Sequence, residues 1–491
     1  MLGLETLPAL LREAAERFGD HPAYVEGESS LSYVALLARV EAVASAYAEA
    51  GVRAGDRVVL WGPNSTDWAV AALAVSYAGG VLVPVNSRYV GPEVADVVSR
   101  TDAALVIVHD GFLGRDQLTE LADAGVTTRV VSLSTVSDSA ASSPPGGGNA
   151  VQSLEVAPDD VADILFTSGT TGRSKGAMSA HRQTIGVARA WAELGGVRQD
   201  DRYLVVNPFF HSFGYKIGIV VGLLTGCTLY PVATFDVEET MRLIESERIT
   251  VFPGAPTLYQ SLLNAPGRAE RDLSSLRLAV TGAAVVPVVL IERMRQDLAI
   301  DQVVTAFGMT EAVVVTMCRD GDSAETVATT CGRAIPGMET RIDPDSGELL
   351  VRGDYVMLGY LDDPEATREA IDDDGWLHTG DVGTLDADGN LTITDRLKDM
   401  YISGGFNVYP AEVEQVLMRM DGVADVAVVG IPDERMGEVG KAYVVGSVTP
   451  EQVIAHAKEK LANFKVPRQV ALVDSLPRNL SGKVLKTELR N

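Results

Sequence analysis

Residues 165–176 carry the residue types that hold a polyphosphate. They read LFTSGTTGRSKG, so an apolar run ends in a loop of glycines, hydroxyls and two cations. Glycine lets the backbone adopt positive φ and bring its N–H groups close to anionic oxygens, while hydroxyls donate hydrogen bonds and Lys175 adds positive charge. The loop lacks Walker A spacing, and the residues after Lys175 predict a strand rather than a helix. By itself, this composition is also that of a hairpin turn at the surface.

Four further segments with polar and glycine residues follow at wide separations. They are 306–311 (AFGMTE), 376–381 (WLHTGD), 395–399 (DRLKD) continuing to 403–410 (SGGFNVYP), and 477–483 (PRNLSGK). In this order and at these separations, the five segments closely resemble the core motifs of the adenylate-forming superfamily. That superfamily includes acyl-CoA synthetases, firefly luciferase and the adenylation domains of peptide synthetases. The resemblance covers nearly the whole chain.

The resemblance implies a two-step reaction that uses ATP, Mg²⁺ and coenzyme A. A carboxylate is a poor electrophile, so it attacks the α-phosphorus of ATP, expels pyrophosphate and becomes an acyl-adenylate, a step dominated by charge stabilisation. The thiol of CoA then takes the acyl group and leaves AMP. The loop residues implied to hold the β- and γ-phosphates are Thr167, Ser168, Gly169, Thr170, Thr171, Gly172 and Lys175.

The same resemblance implies the other contacts to the nucleotide. Thr310 would contact the α-phosphate, and Glu311 would bind Mg²⁺, a cation that favours carboxylate oxygen. Asp381 would accept hydrogen bonds from the ribose hydroxyls, and Arg396 would contact ribose or phosphate. Phe307 stands where the family usually has Tyr, so stacking on adenine survives while any bond from a phenol oxygen is lost. The remaining implied adenine contacts are Gly282, Ala283, Ala284, Ala306, Gly308 and Met309.

Near the C-terminus, Lys483 falls at the position of the family's catalytic lysine, which bridges the substrate carboxylate and the α-phosphate. A flexible ammonium suits that role because it can follow charge as it moves. Lys398 is implied to be the hinge about which a small domain rotates, so that one site serves both steps. In the second step, Ser403, Gly404 and Gly405 would line a passage for the pantetheine thiol.

The residues expected around the acid are mostly small or apolar. His211 matches a family histidine beside the acyl site that orients the carboxylate or gates the thiol. Lys216 is expected to meet a polar or anionic group at the far end of the substrate. This lining suits aromatic, alicyclic and medium-chain acids alike, and Lys216 favours acids with a second polar group. The other expected wall residues are Tyr215, Gly254, Gly282 and Met309.

Composition excludes several classes of partner. Among 491 residues, 41 Lys and Arg stand against 67 Asp and Glu, a formal net charge of −26. Such a surface repels nucleic acid and anionic lipid, so a nucleotide needs a locally positive pocket. We expect no secretory signal, because the first residues meet an acid at once and lack a basic segment followed by an apolar core. We expect no membrane span, because the apolar runs 68–89, which is uncharged apart from Arg88, and 217–235 are interrupted by glycine. Three cysteines without paired spacing predict a cytoplasmic protein, and its oligomeric state stays open.

The elements that must position these residues alternate in an α/β pattern. Alternation over 1–131, and again after the phosphate-type loop, predicts two related sheet-and-helix subdomains. Residues 132–149, rich in Ser, Pro and Gly, predict a mobile loop, and short strands over 332–394 predict a small antiparallel β subdomain. Helices at 410–418 and 451–461 with strands at 423–431 and 442–448 predict a small, mobile α+β domain. The expected domains are 1–394, which binds AMP, and 395–491, which carries Lys483.

The acid:CoA ligase is the preferred interpretation, and three alternatives remain at this point. The adenylate could pass to a carrier-protein thiol, an amine or an oxygen instead of CoA, or the substrate could be an unusual oxyacid. A non-catalytic nucleotide-binding protein on the same fold is a third. Retention of Lys175, Glu311, Asp381 and Lys483 counts against that third alternative, because a decayed site should have lost at least one of them.

Overall fold

The structure is a computed structural model of the 491-residue chain. It describes residues 5–134, 156–167, 174–282, 286, 288–396, 399–403, 406–433, 435–461, 463–478 and 484–490. The strands are β1 Pro22–Glu26, β2 Ser29–Ser32, β3 Arg57–Trp61, β4 Val81–Val85, β5 Leu105–Val108, β6 Val130–Ser132, β7 Val161–Phe166, β8 Gly176–Ala180, β9 Arg202–Val205, β10 Thr228–Pro231, β11 Leu278–Gly282, β12 Gln302–Phe307, β13 Thr316–Met317, β14 Arg333–Ala334, β15 Met338–Ile342, β16 Glu348–Gly353, β17 Gly359–Tyr360, β18 Leu377–Leu385, β19 Leu391–Arg396, β20 Tyr401–Ser403, β21 Phe406–Val408, β22 Val423–Asp433, β23 Gly437–Gly446 and β24 Gln469–Leu472.

Several helices begin after a residue whose side chain caps them. Ser65 and Asp236, for example, accept hydrogen bonds from the backbone N–H of Trp68 and Glu239. The helices are α1 Leu7–Phe18, α2 Tyr33–Glu49, α3 Thr66–Tyr77, α4 Gly91–Arg100, α5 Gln117–Asp123, α6 His181–Gly195, α7 Ser212–Gly214, α8 Val221–Thr225, α9 Val237–Glu247, α10 Pro256–Asn264, α11 Val288–Asp297, α12 Ala324–Thr329, α13 Pro364–Ala370, α14 Pro410–Met418, α15 Pro450–Lys460 and α16 Lys486–Leu489, with a π-helix at Tyr215–Val220 and 3₁₀ turns at Phe112–Gly114 and Arg268–Glu270.

One sheet carries the base of the phosphate loop. Its strand order is β17-β8-β7-β4-β3-β5-β6, in which β7, β4, β3, β5 and β6 are parallel while β8 and β17 are antiparallel to their neighbours. Strand β4 is buried along its whole length, as expected where both faces of a parallel sheet are covered. The strand predicted after Lys175 is confirmed as β8.

The second sheet joins β2-β1-β10-β9 to β11-β12-β13-β14. Val251 connects the two halves, because it forms parallel bridges to Tyr203 on one side and to Leu278 on the other. The two apolar runs each fold as helix, turn and buried strand: α3 with β4 in the first sheet, and α8 with β10 in the second. The prediction of two sheet-and-helix subdomains is therefore confirmed. Within the described ranges, no helix combines the length and the apolar character that crossing a bilayer requires.

Two further sheets complete the fold, one antiparallel and one mixed, because β24 pairs with β23 in parallel in the C-terminal domain. Strands β15, β16, β18 and β19 form the small β subdomain, as predicted. Strand β19 continues to Arg396, past the expected boundary at 394. The C-terminal α+β domain has its own apolar core, in which Tyr401, Val413 and Val453 are buried.

The hairpin of β22 and β23 differs from its prediction. The sequence predicts a second strand over 442–448, but β23 already begins at Gly437 and pairs with β22 along its length. Gly430 and Gly440 face each other inside these two strands, and a Cβ at either position would collide with the side chain of Tyr401. The mobile loop predicted at 132–149 lies largely outside the described residues.

Candidate active site

The phosphate-type loop closes a β-hairpin. Strands β7 and β8 pair up to Phe166 and Gly176, and the N–H of Thr167 donates to the carbonyl of Lys175 at 2.8 Å. The two ends of the loop are therefore held together. The predicted phosphate contacts from Ser168 to Gly172 lie outside the described residues and stay predictions.

Arg100, at the end of α4, supports the second end of this loop. Its guanidinium donates to the carbonyl of Ser174 at 2.7 Å and lies 4.8 Å from the ring centroid of Phe166. No sequence motif pointed to this residue, which precedes the loop by some seventy positions. A cavity of about 440 Å³ beside the loop is lined by Arg100, Ser174, Lys175, Leu361, Asp362 and Asp363.

Tyr360 links the loop lysine to the expected metal ligand. Its hydroxyl donates to Glu311 Oε1 at 2.8 Å, and Lys175 Nζ lies 4.9 Å from the centroid of its ring. Burial and the adjacent carboxylate of Glu311 raise the pKa of Tyr360 well above its usual value, so the hydroxyl remains a donor. The structure thus brings Lys175 and Glu311 to opposite parts of one aromatic side chain. Sequence reasoning missed Tyr360 because no spacing rule relates it to a residue 49 positions earlier.

The expected adenine and α-phosphate residues lie where parallel strands β11 and β12 end. Gly282 pairs with Ala306 at the last register position. A Cβ at Gly282 would collide with the carbonyl oxygen of Ala306, and one at Gly308 would collide with that of Val313. Both glycines therefore allow a close approach of backbone segments. This edge is the usual ligand-binding position of an open α/β sheet. Phe307 closes β12, and Met309 and Thr310 follow in the turn before Glu311. Ala283 and Ala284 lie outside the described residues.

Asp381 stands on β18, directly after a segment of that strand at 378–380 that the side chain of Glu348 holds. It is 3% exposed and faces Arg396 of β19 in the strand register. Glu348 Oε1 accepts from the N–H of Gly380 at 2.8 Å, and Glu348 Oε2 lies 2.9 Å from His378 Nδ1. The arrangement fixes the backbone that presents the Asp381 carboxylate. The side chain of Arg396 is outside what the structure describes.

His211 caps a short helix in the expected acid pocket. Its Nδ1 accepts from the N–H of Phe213 at 3.2 Å. Desolvation of the ring disfavours the imidazolium and lowers the pKa of His211 below its ordinary value. Buried Asn64 braces the preceding loop, since its Oδ1 accepts from the N–H of Phe209 at 2.7 Å. Asn207 donates to the carbonyl of Pro253 at 2.9 Å, which connects this loop to the wall at Gly254.

Lys216 has a partner inside the protein. Its Nζ lies 2.9 Å from Asp163 Oδ1 and donates to Ser179 Oγ at 2.8 Å, while Asp163 Oδ2 accepts from Thr184 Oγ1 at 2.7 Å. Lys216 and Asp163 have side-chain exposures of 1% and 0%. The adjacent Tyr215 is fully buried. The ammonium charge is therefore compensated in the core, which favours a structural role. The expected contact between Lys216 and the substrate stays a prediction.

The expected contributions of the C-terminal domain are described only in part. Ser403 ends β20, is 2% exposed and pairs with Gly437 of β23. Gly404, Gly405, the hinge Lys398 and the catalytic Lys483 lie outside the described residues, so their roles stay predictions.

Glu311 fits a magnesium ion that is shared with substrate phosphates. Mg²⁺ is commonly bound by one or two carboxylates together with phosphate oxygens and water, not by a cage of protein ligands. Glu311 is half-buried, and within the described residues Tyr360 is the hydrogen-bond donor to its Oε1. Across the described part of the chain there is no cluster of three His, Cys, Asp or Glu side chains for an all-protein metal site.

Comparison with known proteins agrees with this arrangement. Residues 11–361 match the AMP-binding enzyme family, and residues 412–483 match the AMP-binding enzyme C-terminal domain. The 3-[(3aS,4S,7aS)-7a-methyl-1,5-dioxo-octahydro-1H-inden-4-yl]propanoyl:CoA ligase of Rhodococcus jostii (strain RHA1) is 54% identical over 513 residues, covering 99% of this chain and 98% of that protein. The ligase of the same name from Mycobacterium tuberculosis (strain ATCC 25618 / H37Rv) is 53% identical over 501 residues, covering 99% of both.

A solved structure agrees over the same length. The crystal structure of ATP-bound MatB from Rhodopseudomonas palustris superposes with a TM-score of 0.88 at 31% identity, covering 99% of this chain and 98% of that one. The chain therefore belongs to the AMP-binding enzyme family, and it is an acid:CoA ligase that uses ATP to activate a carboxylic acid as its adenylate.

Proposed function

We propose that this ligase activates an alicyclic propanoic acid with a fused two-ring body and oxo groups. The observation that carries the proposal is the 54% and 53% identity, over 99% of the chain, to two ligases named for the 7a-methyl-1,5-dioxo-octahydroindenyl propanoyl group. A pocket bounded by small residues such as Gly254 and Gly282 is compatible with a bulky ring system.

We also infer a reducing, cytoplasmic compartment, which the three free cysteines support.

In the first step, we infer that the chain binds ATP at the carboxyl ends of β7 in the first sheet and of β11 and β12 in the second. Lys175 and the loop it closes would hold the pyrophosphate portion, Thr310 the α-phosphate and Asp381 the ribose. Glu311 would hold Mg²⁺, which supplies neutralising positive charge to the phosphate oxygens when bound. Lys483 would bridge the attacking carboxylate and the α-phosphate, where negative charge accumulates.

In the second step, we infer that the C-terminal domain rotates about Lys398 and gives CoA access to the adenylate. Ser403 with Gly404 and Gly405 would line the passage of the thiol, and small residues suit that passage because larger side chains would obstruct it. His211 would lie beside the acyl group in both steps. The separate apolar core around Tyr401 supports movement of this domain as one body.

The substrate proposal is tested with a panel of acids. Purified enzyme is incubated with ATP and Mg²⁺, with and without CoA, while pyrophosphate release and product mass are followed. The panel contains the dioxo-octahydroindenyl propanoic acid, cyclohexanepropanoic acid, octanoic acid, ferulic acid and malonic acid. We expect kcat/KM for the two-ring acid to exceed that for octanoic acid by about a hundredfold, because several pocket contacts differ. Equal or better turnover of another class contradicts the proposed substrate, and adenylate without thioester contradicts CoA as acceptor.

The role of Lys483 needs its own variant. Lys483→Ala should lower the rate of adenylate formation about a thousandfold or more while ATP binding persists, since its charge acts mainly in the transition state. Lys460→Ala is the control, because it removes an exposed lysine of the same domain at the end of α15. It should leave the rate of adenylate formation unchanged. A fully active Lys483→Ala enzyme overturns the assignment.

A further inference from the structure

Tyr360 is anchored to the strand that leaves the phosphate loop. Gly359 and Tyr360 pair with Met178 and Ala177 of β8. The N–H of Leu361 donates to the carbonyl of Gly176 at 2.8 Å. The position of the ring is thus tied through backbone hydrogen bonds to the base of the loop that carries Lys175.

The same segment also holds Glu311. The N–H of Met357 donates to the carbonyl of Glu311 at 2.7 Å, and the Tyr360 hydroxyl donates to its side-chain Oε1 at 2.8 Å. Among the described residues, the second carboxylate oxygen, Oε2, accepts no hydrogen bond. One oxygen of Glu311 is therefore fixed while the other is available for a ligand.

Lys175 and Glu311 carry opposite charges on the two sides of this side chain. The ammonium of Lys175 lies 4.9 Å from the ring centroid, where the negative face of an aromatic ring attracts a cation. The carboxylate instead meets the hydroxyl at the ring edge. A flexible lysine and a glutamate this close would form an ion pair if no group stood between them. Such a pair would neutralise both groups that ATP and its metal require.

We propose that Tyr360 is a positioning residue that separates Lys175 from Glu311, so that the ammonium stays available to the pyrophosphate portion of ATP and the carboxylate to Mg²⁺. The hydroxyl orients the carboxylate, and the ring keeps the two charges apart. This inference rests on the proposed function, specifically on Glu311 as the metal ligand. The hydroxyl and the ring thus have different tasks, and Tyr360→Phe and Tyr360→Leu test them separately.

The test measures binding at equilibrium, not turnover. The probes are α,β-methylene-ATP, which cannot release pyrophosphate, and Mn²⁺ as a paramagnetic substitute for Mg²⁺. Nucleotide affinity is measured by calorimetry in EDTA, and Mn²⁺ affinity by electron paramagnetic resonance in the ternary complex. Tyr360→Phe keeps the ring and removes the hydroxyl, Tyr360→Leu removes both, and Tyr355→Phe is the matched control five residues earlier on the chain. Thermal unfolding checks that each variant is folded.

The expected results differ between the variants. Tyr360→Phe should weaken Mn²⁺ binding roughly tenfold, as for a lost hydrogen bond to a charged group, and leave metal-free nucleotide affinity within about twofold. Tyr360→Leu should weaken both affinities roughly tenfold, because Lys175 now pairs with Glu311. Adding Glu311→Gln to Tyr360→Leu should restore the metal-free nucleotide affinity, since the competing carboxylate charge is gone. Tyr355→Phe should change neither.

Two outcomes overturn the separating role of Tyr360. One is an unchanged metal-free nucleotide affinity in folded Tyr360→Leu, and the other is a failure of Glu311→Gln to restore that affinity. Failure of the proposed function is recognised separately. If Glu311→Gln alone leaves Mn²⁺ affinity unchanged, Glu311 is not the metal ligand, whatever the Tyr360 variants do.

Discussion

Glu348 shows how single residues outside the sequence motifs prepare this site. It accepts hydrogen bonds from the segment of β18 at 378–380, which precedes Asp381, the residue proposed to hold the ribose. Asn64 accepts from the N–H of Phe209 in the loop before His211, and Arg100 donates to the carbonyl of Ser174 at the end of the phosphate loop. Each of these side chains contacts a residue next to a proposed ligand contact. Its loss should therefore weaken ligand binding more than it lowers the rate of the chemical step.

Glu348→Ala is therefore expected to raise the KM for ATP about tenfold while kcat changes by less than about threefold. The substitution removes the acceptor for the Gly380 N–H, a loss of about 1.5 kcal/mol for a hydrogen bond to a charged group. The ribose contact is equally strong in the ground state and in the transition state, so its weakening raises KM and leaves kcat nearly unchanged. Steady-state kinetics at saturating acid and CoA measure it. Glu339→Ala, on the exposed strand β15, is the matched control. A fall in kcat with unchanged KM would contradict this role.

At the scale of elements, a buried ion pair joins the strand before the phosphate loop to the helical segment behind His211. Asp163 lies on β7, Lys216 in the π-helix at Tyr215–Val220, and Ser179 and Thr184 bind the pair from β8 and α6. Removing one partner leaves an uncompensated charge in the core, whereas removing both charges does not. The pair thus holds two walls of the site together through a contact that has no route to solvent.

We expect Lys216→Met to lower the free energy of unfolding of its domain by about 3 to 5 kcal/mol, the usual cost of breaking a buried pair. Asp163→Asn combined with Lys216→Met should recover much of that loss, because Asn still accepts from Thr184 while no charge is buried. Thermal and urea unfolding measure both. The folded double variant should keep its preference between oxo-bearing and plain acids. A lost preference would show that Lys216 does meet the substrate.

At the scale of the whole molecule, contacts between distant segments make the fold sensitive to acid. His181, the first residue of α6, is 1% exposed and accepts from the N–H of Leu7 at 3.3 Å, which ties it to α1. Burial lowers the pKa of His181 to about 4. The unfolded chain binds a proton near pH 6.5, but the folded chain does so only near pH 4. The associated stability is complete above pH 6.5 and is lost as the pH falls toward 4.

This difference in the pKa of His181 predicts that acid lowers the free energy of unfolding by about 3 kcal/mol. His181→Gln should be less stable than the native chain at pH 7.5 and should lose less stability between pH 7.5 and 4.5. Urea unfolding at several pH values measures the slope. His456→Gln, a half-buried histidine on α15, is the control. Parallel slopes for the native chain and His181→Gln would refute the prediction.

Much of the site was predicted from the sequence because its chemistry is local. The phosphate-type loop, the turn before Glu311 and the segment ending in Asp381 are each set by neighbouring residues, whose types and order suffice to identify them. The α/β class and the antiparallel subdomain followed from short-range alternation in the same way. The long β23 was predicted too short, because the ring that requires glycine in its interior belongs to Tyr401, some forty residues away.

The sequence by itself determined which reaction this protein carries out, because the motifs for that reaction are recognised from the types and order of neighbouring residues. Only the tertiary structure decided which contacts orient the side chains of those motifs and keep them apart. It placed Tyr360 between Lys175 and Glu311, Glu348 against the segment of β18 that precedes Asp381, and Lys216 beside Asp163 in the core. These contacts depend on which strands pair and which segments pack, and no spacing along the chain encodes them.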